Sequence, residues 1–414
     1  MTLIKSLLLG SAAGIVAIAS AQAADLPTKK GAPAAEYVKV CKMTLGGAPA
    51  LGFTLPGSDT CLKLSGYVSA QASYLSGFAN GQDAIGLFVR GNVAWDAVSN
   101  TAAGPLYAHI DLNSQHGAGA DYENASGYSS YSGGYVALDN AYLQWAGITA
   151  GQHGSFFDFF AGGPTWDDFI SSDHTGTGTL LFAYTASLGG GFSATLSAEE
   201  VEVATGFQPG AGYNGVRSPD WVANVTWAQA WGKLQLAALA HDVDTLTGVN
   251  TWGWAFSGGL QVNLPGLPGS DVKLQAIYTD GATGYLGLYN SVGIYGNAPF
   301  SNTVNGGATP AWAGFGYDAN NFGALVTGYS FAGAVDFAVN PQFTITPELS
   351  YGNLSYSAGN SATEWVGGGT IAWKPVTNLV FNLDLLYASG TNTVSYVGYS
   401  YSGFNGKLRI ERDF

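Results

Sequence analysis

Residues 62–71 read Leu62-Lys63-Leu64-Ser65-Gly66-Tyr67-Val68-Ser69-Ala70-Gln71, with apolar or small residues at the even positions and polar residues or tyrosine at the odd ones. The same alternation runs through residues 106–113 and, with Ile277 as the exception, through residues 272–279. A period of two places successive side chains on opposite faces of a β-sheet. The sequence therefore predicts strands that are apolar on one face and polar on the other.

The composition indicates that this sheet lies in a lipid bilayer. Only 10% of the 414 residues are charged, while 47% are hydrophobic and 60 are glycine; soluble domains carry charge on about 25% of their residues. Beyond the N-terminus there is no apolar run of roughly 18 residues, which excludes membrane-spanning helices. A water-soluble sandwich would show the same alternation. Because lipid requires every backbone N–H and C=O to be paired, we expect an all-β, antiparallel transmembrane barrel.

The first 23 residues predict export. Lys5 supplies a positive charge, residues 7–18 form a mostly apolar core, and Ala21-Gln22-Ala23 is a small-x-small cleavage site. These are the parts of a secretory signal peptide. We expect the mature chain to begin at Ala24 and to carry its barrel in residues 62–414.

Two cysteines are present, Cys41 and Cys61, and both lie in the N-terminal segment 24–61 that we expect in the periplasm. An even pair in an oxidising compartment predicts one disulfide, with two separate thiols as the alternative. Closing a loop of about 20 residues removes on the order of 3 kcal/mol of unfolded-state entropy. Two cysteines without a histidine cluster make a poor zinc site, so no metal or other cofactor is expected.

The connections between strands predict the size of the barrel. Seven tight turn signals alternate with eight longer polar connections, which together separate sixteen strands and leave both chain ends on the short-turn side. Short turns alternating with longer loops are typical of bacterial outer-membrane barrels, and 14 or 18 strands are the alternative counts. The tight turns are at 101–105, 146–148, 188–191, 230–232, 265–269, 339–341 and 374–377. The longer connections are at 76–84, 115–131, 153–178, 201–217, 244–250, 281–321, 357–361 and 390–400.

Tryptophans near the predicted strand ends support the membrane interpretation, because indole rings favour the headgroup layer. They are Trp95, Trp145, Trp221, Trp227, Trp231, Trp252, Trp254, Trp365 and Trp373. A barrel of sixteen strands is too wide to be filled by its own inward side chains and encloses an aqueous channel. Its function therefore depends on what narrows that channel.

The third long connection is the segment that we expect to narrow it. Residues 151–169 contain five phenylalanines and a tryptophan, and a loop this apolar would be unstable in water. We therefore expect it to fold against the inner wall of the barrel, with an outer loop packed on its neighbours as the alternative. The inward fold would place four carboxylates near the lumen, those of Asp158, Asp167, Asp168 and Asp173.

Four groups of motifs, spread over the whole chain, match one known family. They are Ile4-Lys5-Ser6-Leu7-Leu8-Leu9-Gly10 with Ala21-Gln22-Ala23-Ala24-Asp25; Tyr37-Val38-Lys39-Val40-Cys41 with Pro56-Gly57-Ser58-Asp59-Thr60-Cys61 and Gly66-Tyr67-Val68; Gly151-Gln152 with Ser155-Phe156-Phe157-Asp158-Phe159; and Arg409-Ile410-Glu411-Arg412-Asp413-Phe414. On these motifs the chain resembles the alphaproteobacterial (rhizobial and Brucella-type) porins. The resemblance implies homotrimers of sixteen-stranded barrels in the outer membrane of a Gram-negative bacterium, with the third loop as the constriction. It also implies a channel for small hydrophilic solutes, bounded by lipid and lipopolysaccharide. The terminal Phe414 resembles the assembly signal of outer-membrane barrels generally.

The charges depart from the family pattern. Family porins, as the resemblance implies, set wall arginines against loop carboxylates, but residues 91–216 contain no Lys or Arg and twelve Asp or Glu. Arg90 is the first choice for a cation facing the loop acids and Lys63 the second; an ordinary solvated wall charge is the alternative for each. An acidic lumen predicts a preference for cations. Inward aromatics such as Tyr67 and Tyr107 leave a sugar-preferring channel as a variant.

Other function classes are weaker. An enzyme is not expected, because the five histidines accompany no G-x-S-x-G motif or other arranged nucleophile. There is no phosphate-binding glycine-rich loop or basic patch, so no nucleic-acid partner is expected. A structural or adhesive surface barrel, with residues 281–321 as its working part, is the remaining alternative.

Overall fold

A computed structural model describes residues 39–76, 84–119, 135–159, 178–200, 214–215, 217–244, 248–286, 318–319, 324–356, 360–394 and 397–414. The chain divides into the units Met1–Val40 and Cys41–Phe414, and the second contains nearly all of the described residues. The predicted signal peptide, residues 1–23, lies outside the described residues. None of the helices in the described part of the chain is long and apolar enough to cross a membrane.

The described chain is almost entirely β-strand. The strands are β1 Val40–Leu45, β2 Ala48–Thr54, β3 Cys61–Leu75, β4 Ile85–Thr101, β5 Gly104–Gly119, β6 Tyr135–Trp145, β7 Ile148–His153, β8 Thr179–Gly189, β9 Phe192–Glu199, β10 Asp220–Gln229, β11 Gly232–Asp244, β12 Asn250–Asn263, β13 Asp271–Asp280, β14 Thr327–Asn340, β15 Phe343–Tyr356, β16 Asn360–Val376, β17 Leu379–Val394 and β18 Val397–Asp413. A short 3-10 helix, Thr283–Leu286, follows β13.

Strands β3 to β18 form the predicted closed barrel of sixteen strands. Each pairs antiparallel with the next, and β18 returns to pair with β3, for example at Arg409↔Gln71. Phe414 completes this seam, since its N–H donates to the Gly66 carbonyl at 2.9 Å and its carbonyl accepts from the Gly66 N–H at 3.1 Å. Closure removes the unpaired sheet edges that lipid does not tolerate.

The strands β1 and β2 form a hairpin that precedes the barrel. The turn between them contains Gly46 and Gly47, both with positive φ (55° and 83°), a conformation that glycine adopts without steric cost. Strand β2 pairs with the start of β3 at Phe53↔Leu62 and Thr54↔Cys61. The predicted Cys41–Cys61 disulfide is confirmed and ties the first strand of the hairpin to the first strand of the barrel.

The tight turns lie where the sequence predicted them, and the longer connections differ at their ends. Strand β5 continues to Gly119 and β6 begins at Tyr135, so the connection predicted at 115–131 is displaced toward the C-terminus. Strands β17 and β18 extend to Val394 and from Val397, so the connection predicted at 390–400 is shorter than expected. Their Ser, Thr, Asn and Gly residues are polar enough to resemble loop, but backbone pairing does not require apolar side chains. The hydrogen-bonded pairing of the strands therefore continues beyond the residues that are apolar on the outer face.

The alternation has the predicted orientation. Along β3, Leu64 and Val68 are 50% and 59% exposed on the outer face, while Ser69 and Gln71 face inward and are only 1% and 6% exposed. An apolar outer face is typical of barrels that lie in a lipid bilayer. The polar inner face encloses the lumen.

Aromatic side chains cluster at both ends of the barrel wall. Near the tight turns, Trp227 stacks on Phe192 with ring centroids 5.3 Å apart, and Phe343 stacks on Trp373 at 6.0 Å. Toward the opposite end, Trp254 lies 5.5 Å from Tyr278. These clusters correspond to the two interfacial belts of a membrane barrel.

Candidate functional site: the inward loop and the channel wall

The segment after β7 turns inward at its first residues. Ser155 Oγ donates to Glu199 Oε2 at 2.5 Å, and the Phe156 N–H donates to Glu199 Oε1 at 3.0 Å. Glu199 is an inward residue of β9, fully buried beneath the segment. One wall carboxylate therefore accepts two hydrogen bonds from the root of the loop, bonds that are stronger than those to neutral groups.

Two further wall residues bind the backbone of the segment. The Asn224 side-chain amide of β10 donates to the Phe156 carbonyl at 2.6 Å, and the Gln235 amide of β11 donates to the Asp158 carbonyl at 3.0 Å. The loop thus crosses β9, β10 and β11 in turn. Because wall side chains satisfy its backbone carbonyls, irregular backbone can lie at this depth of a membrane protein.

The phenylalanines of the segment pack against the barrel wall, in one case over a glycine that has no side chain. Phe157 is fully buried, and Phe159 lies over Gly259 of β12, where any Cβ would overlap its ring. The Lys233 ammonium lies 4.8 Å from the centroid of the Phe159 ring, within cation–π range. The prediction that this aromatic loop folds against the inner wall is confirmed for residues 154–159. Residues 160–177 lie outside the described residues.

A second inward segment, which the sequence did not reveal, begins after β13. Residues 281–286 were predicted to start an outer loop, yet Tyr285 and Leu286 are fully buried against inward-facing wall residues. The Tyr285 hydroxyl donates to Asp220 Oδ2 at 2.5 Å, and Ser330 Oγ donates to the Leu286 carbonyl at 2.9 Å. The signal available in the sequence was the apolar character of Ala282, Tyr285 and Leu286.

A buried polar network holds this second segment. His241 Nδ1 lies 2.9 Å from Asp220 Oδ1, and His241 Nε2 lies 3.2 Å from Asp318 Oδ2. Asp318 also accepts from the Thr283 N–H at 2.6 Å and from its hydroxyl at 3.0 Å. Asp220, His241 and Asp318 are almost fully buried, so these contacts offset part of the cost of removing their polar groups from water.

Apolar residues of the barrel wall pack against the two inward segments. Ile277, the exception to the alternation in β13, faces inward and packs in one cluster with Phe157, Tyr285 and Leu286. An apolar residue on the lumen side is therefore stable because protein, not water, covers it. Side chains of the two inward segments and of the wall therefore occupy this part of the barrel interior.

The predicted wall cations occupy inward positions of the first two barrel strands. Arg90 donates from Nε and Nη2 to Gln115 Oε1, at 3.0 and 2.8 Å. Lys63 stands directly across from Asp96 in the β3–β4 register. Asp158 lies on the inward segment with a half-buried side chain. Asp167, Asp168 and Asp173 lie outside the described residues.

Closure adds two cations that the sequence reasoning did not place on this wall. Lys407 and Arg409 pair with Ser73 and Gln71 across the β18–β3 seam, so that β3 alone separates them from Arg90. Lys407 and Arg409 alternate with the outward-facing Leu408 and Ile410, and this alternation gives both an inward direction. Only the seam shows that they neighbour Arg90.

Carboxylates outnumber cations among the charged residues on the inner face of the described strands. The acids are Asp96, Asp111, Glu199, Asp220, Asp271, Asp336, Glu348, Glu364, Asp384 and Glu411. The bases are Lys63, Arg90, Lys233, Lys273, Lys407 and Arg409. The described part of the chain contains no group of His, Cys, Asp and Glu that could hold a metal ion.

Comparison with known proteins agrees with this architecture. The family model described as "Porin subfamily" matches residues 25–407. Porin Omp2b of Brucella suis biovar 1 (strain 1330) is 29% identical over 389 residues, covering 87% of this chain and 96% of that protein. The outer membrane channel DcaP of Acinetobacter baumannii has a similar fold, with a TM-score of 0.65 at 16% identity over 88% of this chain and 99% of its own. An anion-selective porin from Comamonas acidovorans shares the fold at a TM-score of 0.52 and 13% identity, covering 86% of this chain and 100% of its own.

Proposed function

The chain belongs to the porin subfamily, and we propose that the channel it forms prefers cations to anions. As a porin it is a passive, water-filled channel for small hydrophilic solutes in the outer membrane of a Gram-negative bacterium, and not an enzyme. The fold does not decide the sign of its selectivity, because a porin with the same fold is anion-selective. The sign depends on the charges of this particular wall.

The excess of inward carboxylates is the observation that supports cation preference. Several of the cations on the same face lie against acids or rings: Lys273 Nζ is 2.6 Å from Asp336 Oδ2, and Arg409 contacts Glu411. A lumen whose fixed charge is negative raises the local concentration of cations and lowers that of anions. The effect weakens as salt shortens the Debye length.

The constriction is proposed to lie between the inward loop and the wall of β18, β3 and β4. Asp158, together with Asp167, Asp168 and Asp173, would supply its negative side. Arg90 would supply the positive side, with Lys63, Lys407 and Arg409 as its neighbours. The inward course of residues 154–159 and the inward positions of these cations support this assignment.

Two partner assignments belong to the same proposal. We expect the outer face to contact lipid and lipopolysaccharide, since its large exposed side chains are apolar and aromatic. We expect a homotrimer because the family resemblance implies one. Cross-linking of the detergent-solubilised protein would measure the number of chains directly.

Reversal potentials in a KCl gradient across a planar bilayer test the selectivity. We expect the sign of a cation-preferring channel at low salt, and a smaller potential at high salt. Arg90→Gln should increase the cation preference, because it removes an inward positive charge. Arg412→Gln is the matched control: Arg412 pairs with Leu379 and Val68 on the outer face, and the potential should not change. An anion-selective sign for the unmodified protein would refute the proposal.

A further inference from the structure

Five aromatic side chains form a continuous row on the inner wall. Tyr107 and His109 lie on β5, Tyr142 on β6, His153 at the end of β7 and Phe156 in the inward loop. Successive ring centroids are 6.3, 5.2, 4.5 and 5.6 Å apart along this order. We call these five residues the aromatic row. It connects the root of the inward loop to the tight-turn end of the barrel, where β5 begins at Gly104.

The rings face the channel as well as each other. All five side chains are half-buried, in contrast to Phe157, which is fully covered by the second inward segment. None of these five residues is therefore fully covered by protein. A solute that passes the inward loop along this wall meets the five rings one after another.

Hydrogen bonds hold the first rings of the row in place. The Tyr107 hydroxyl donates to Asp96 Oδ1 at 2.5 Å, and His109 Nδ1 lies 2.8 Å from the same oxygen. Asp96 is itself buried. Rings fixed in this way lose little conformational freedom when a ligand binds, which favours affinity.

Polar side chains of β5 and β6 flank the row. Asp111 and Asn140 are register partners, and Gln144 is the partner of Tyr107. The three side chains are half-buried on the same inner face. No Lys or Arg occurs in residues 91–216, so β5 to β9 carry neither, and the cation beside the row is Lys63 of β3, the register partner of Asp96. Strands β5 and β6 therefore offer hydrogen-bond acceptors and neutral donors beside aromatic side chains, a combination that suits a neutral ligand.

We propose that the aromatic row is a binding track for neutral oligosaccharides. The apolar C–H face of a pyranose ring stacks on an aromatic face, while its hydroxyls donate to Asp111 and exchange hydrogen bonds with Asn140 and Gln144. A row of weak sites lets a chain of sugars enter and move on, as conduction through a channel requires. This inference rests on the proposed function, since a track has meaning only along an open channel.

Maltohexaose added to single channels in a planar bilayer tests the track. We expect brief, concentration-dependent blocks of the ion current. Tyr142→Ala removes the ring at the centre of the row and should shorten the mean block about tenfold. Tyr142→Phe keeps the ring and should keep the block. Tyr278→Ala, which removes a lipid-facing tyrosine that is 45% exposed on β13, should leave the block unchanged.

The outcomes separate this inference from the proposed function. Normal cation-selective current without maltohexaose blocks would overturn the track and leave the channel intact. Blocks by choline but not by maltohexaose would also overturn it, in favour of an organic-cation site. If Tyr142→Ala does not assemble, Tyr107→Leu supplies the second test, and an unaltered block duration in that variant would equally overturn the track.

Discussion

Phe157 and Tyr285 meet edge to face inside the barrel, with ring centroids 5.3 Å apart and both side chains fully buried. The two rings come from separate inward segments, one after β7 and one after β13. The Tyr285 hydroxyl is bound to Asp220, whose carboxylate also contacts His241 of the wall. The inward loop is therefore held on one side by the wall and on the other by a second segment that is itself anchored to the wall.

Tyr285→Phe tests this anchor. The variant keeps the edge-to-face contact and removes the hydrogen bond to the buried Asp220 carboxylate, so we expect the protein to lose about 1–3 kcal/mol of stability. The thermal midpoint, followed by the shift between folded and unfolded bands on gels, should fall accordingly. Tyr278→Phe is the control, since Tyr278 lies on the outer face. Equal midpoints for the two variants would show that the hydroxyl contributes nothing.

Gly259→Ala tests the packing of the inward loop against the barrel wall. A Cβ at this position would overlap the Phe159 ring, so we expect the ring to leave the wall at a cost of about 1–3 kcal/mol. Single-channel conductance should become altered and more variable. Gly258→Ala is a close control, because a Cβ there meets only Leu236 Cδ2, at 3.6 Å on the outer face. A conductance histogram that is identical in both variants would place Phe159 outside the conduction path.

Phe414→Ala tests the assembly role proposed for the last residue. Its backbone pairs with Gly66, and its ring lies over that glycine, 2.8 Å from where a Cβ would stand. The variant keeps the backbone pairing, so refolding into detergent should proceed. In cells, by contrast, we expect less folded barrel in the outer membrane, measured as the heat-modifiable fraction.

Phe404→Ala is the control for that experiment, since it removes another outward phenylalanine of β18 that is 37% exposed. Full assembly of both variants in cells would exclude Phe414 as the signal. A failure of Phe414→Ala to refold in detergent would assign the ring a structural role instead.

The barrel wall was predictable from the sequence because its signals are local. Alternation depends on neighbouring side chains, and turn residues depend on backbone preferences within a few positions. These signals predicted fifteen connections and sixteen strands, with 14 or 18 strands as alternatives, and sixteen is confirmed. The errors were at the strand ends near Gly119 and Val394, where polar composition conceals backbone pairing.

The interior was predictable only in part. The aromatic residues of 151–169 predicted an inward fold, with an outer loop packed on its neighbours as the alternative, and the structure confirms the inward fold for residues 154–159. The sequence did not show that Ala282, Tyr285 and Leu286 would join it, because a short apolar segment within a long polar connection has no periodicity to identify it. Ile277 broke the alternation of β13 without an explanation, because the segments that cover it could not be recognised from the sequence.

The amino-acid sequence by itself determined that this chain spans the membrane as alternating strands and that its aromatic loop turns away from water. The tertiary structure alone decided that Arg409 stands beside Gln71, near Arg90, and that Tyr285 covers Phe157. Residues far apart in the chain meet only when the first and last strands of the barrel pair and inward segments pack on each other. Local preferences carry no information about those contacts, because the contacts are stabilised by closure and by burial.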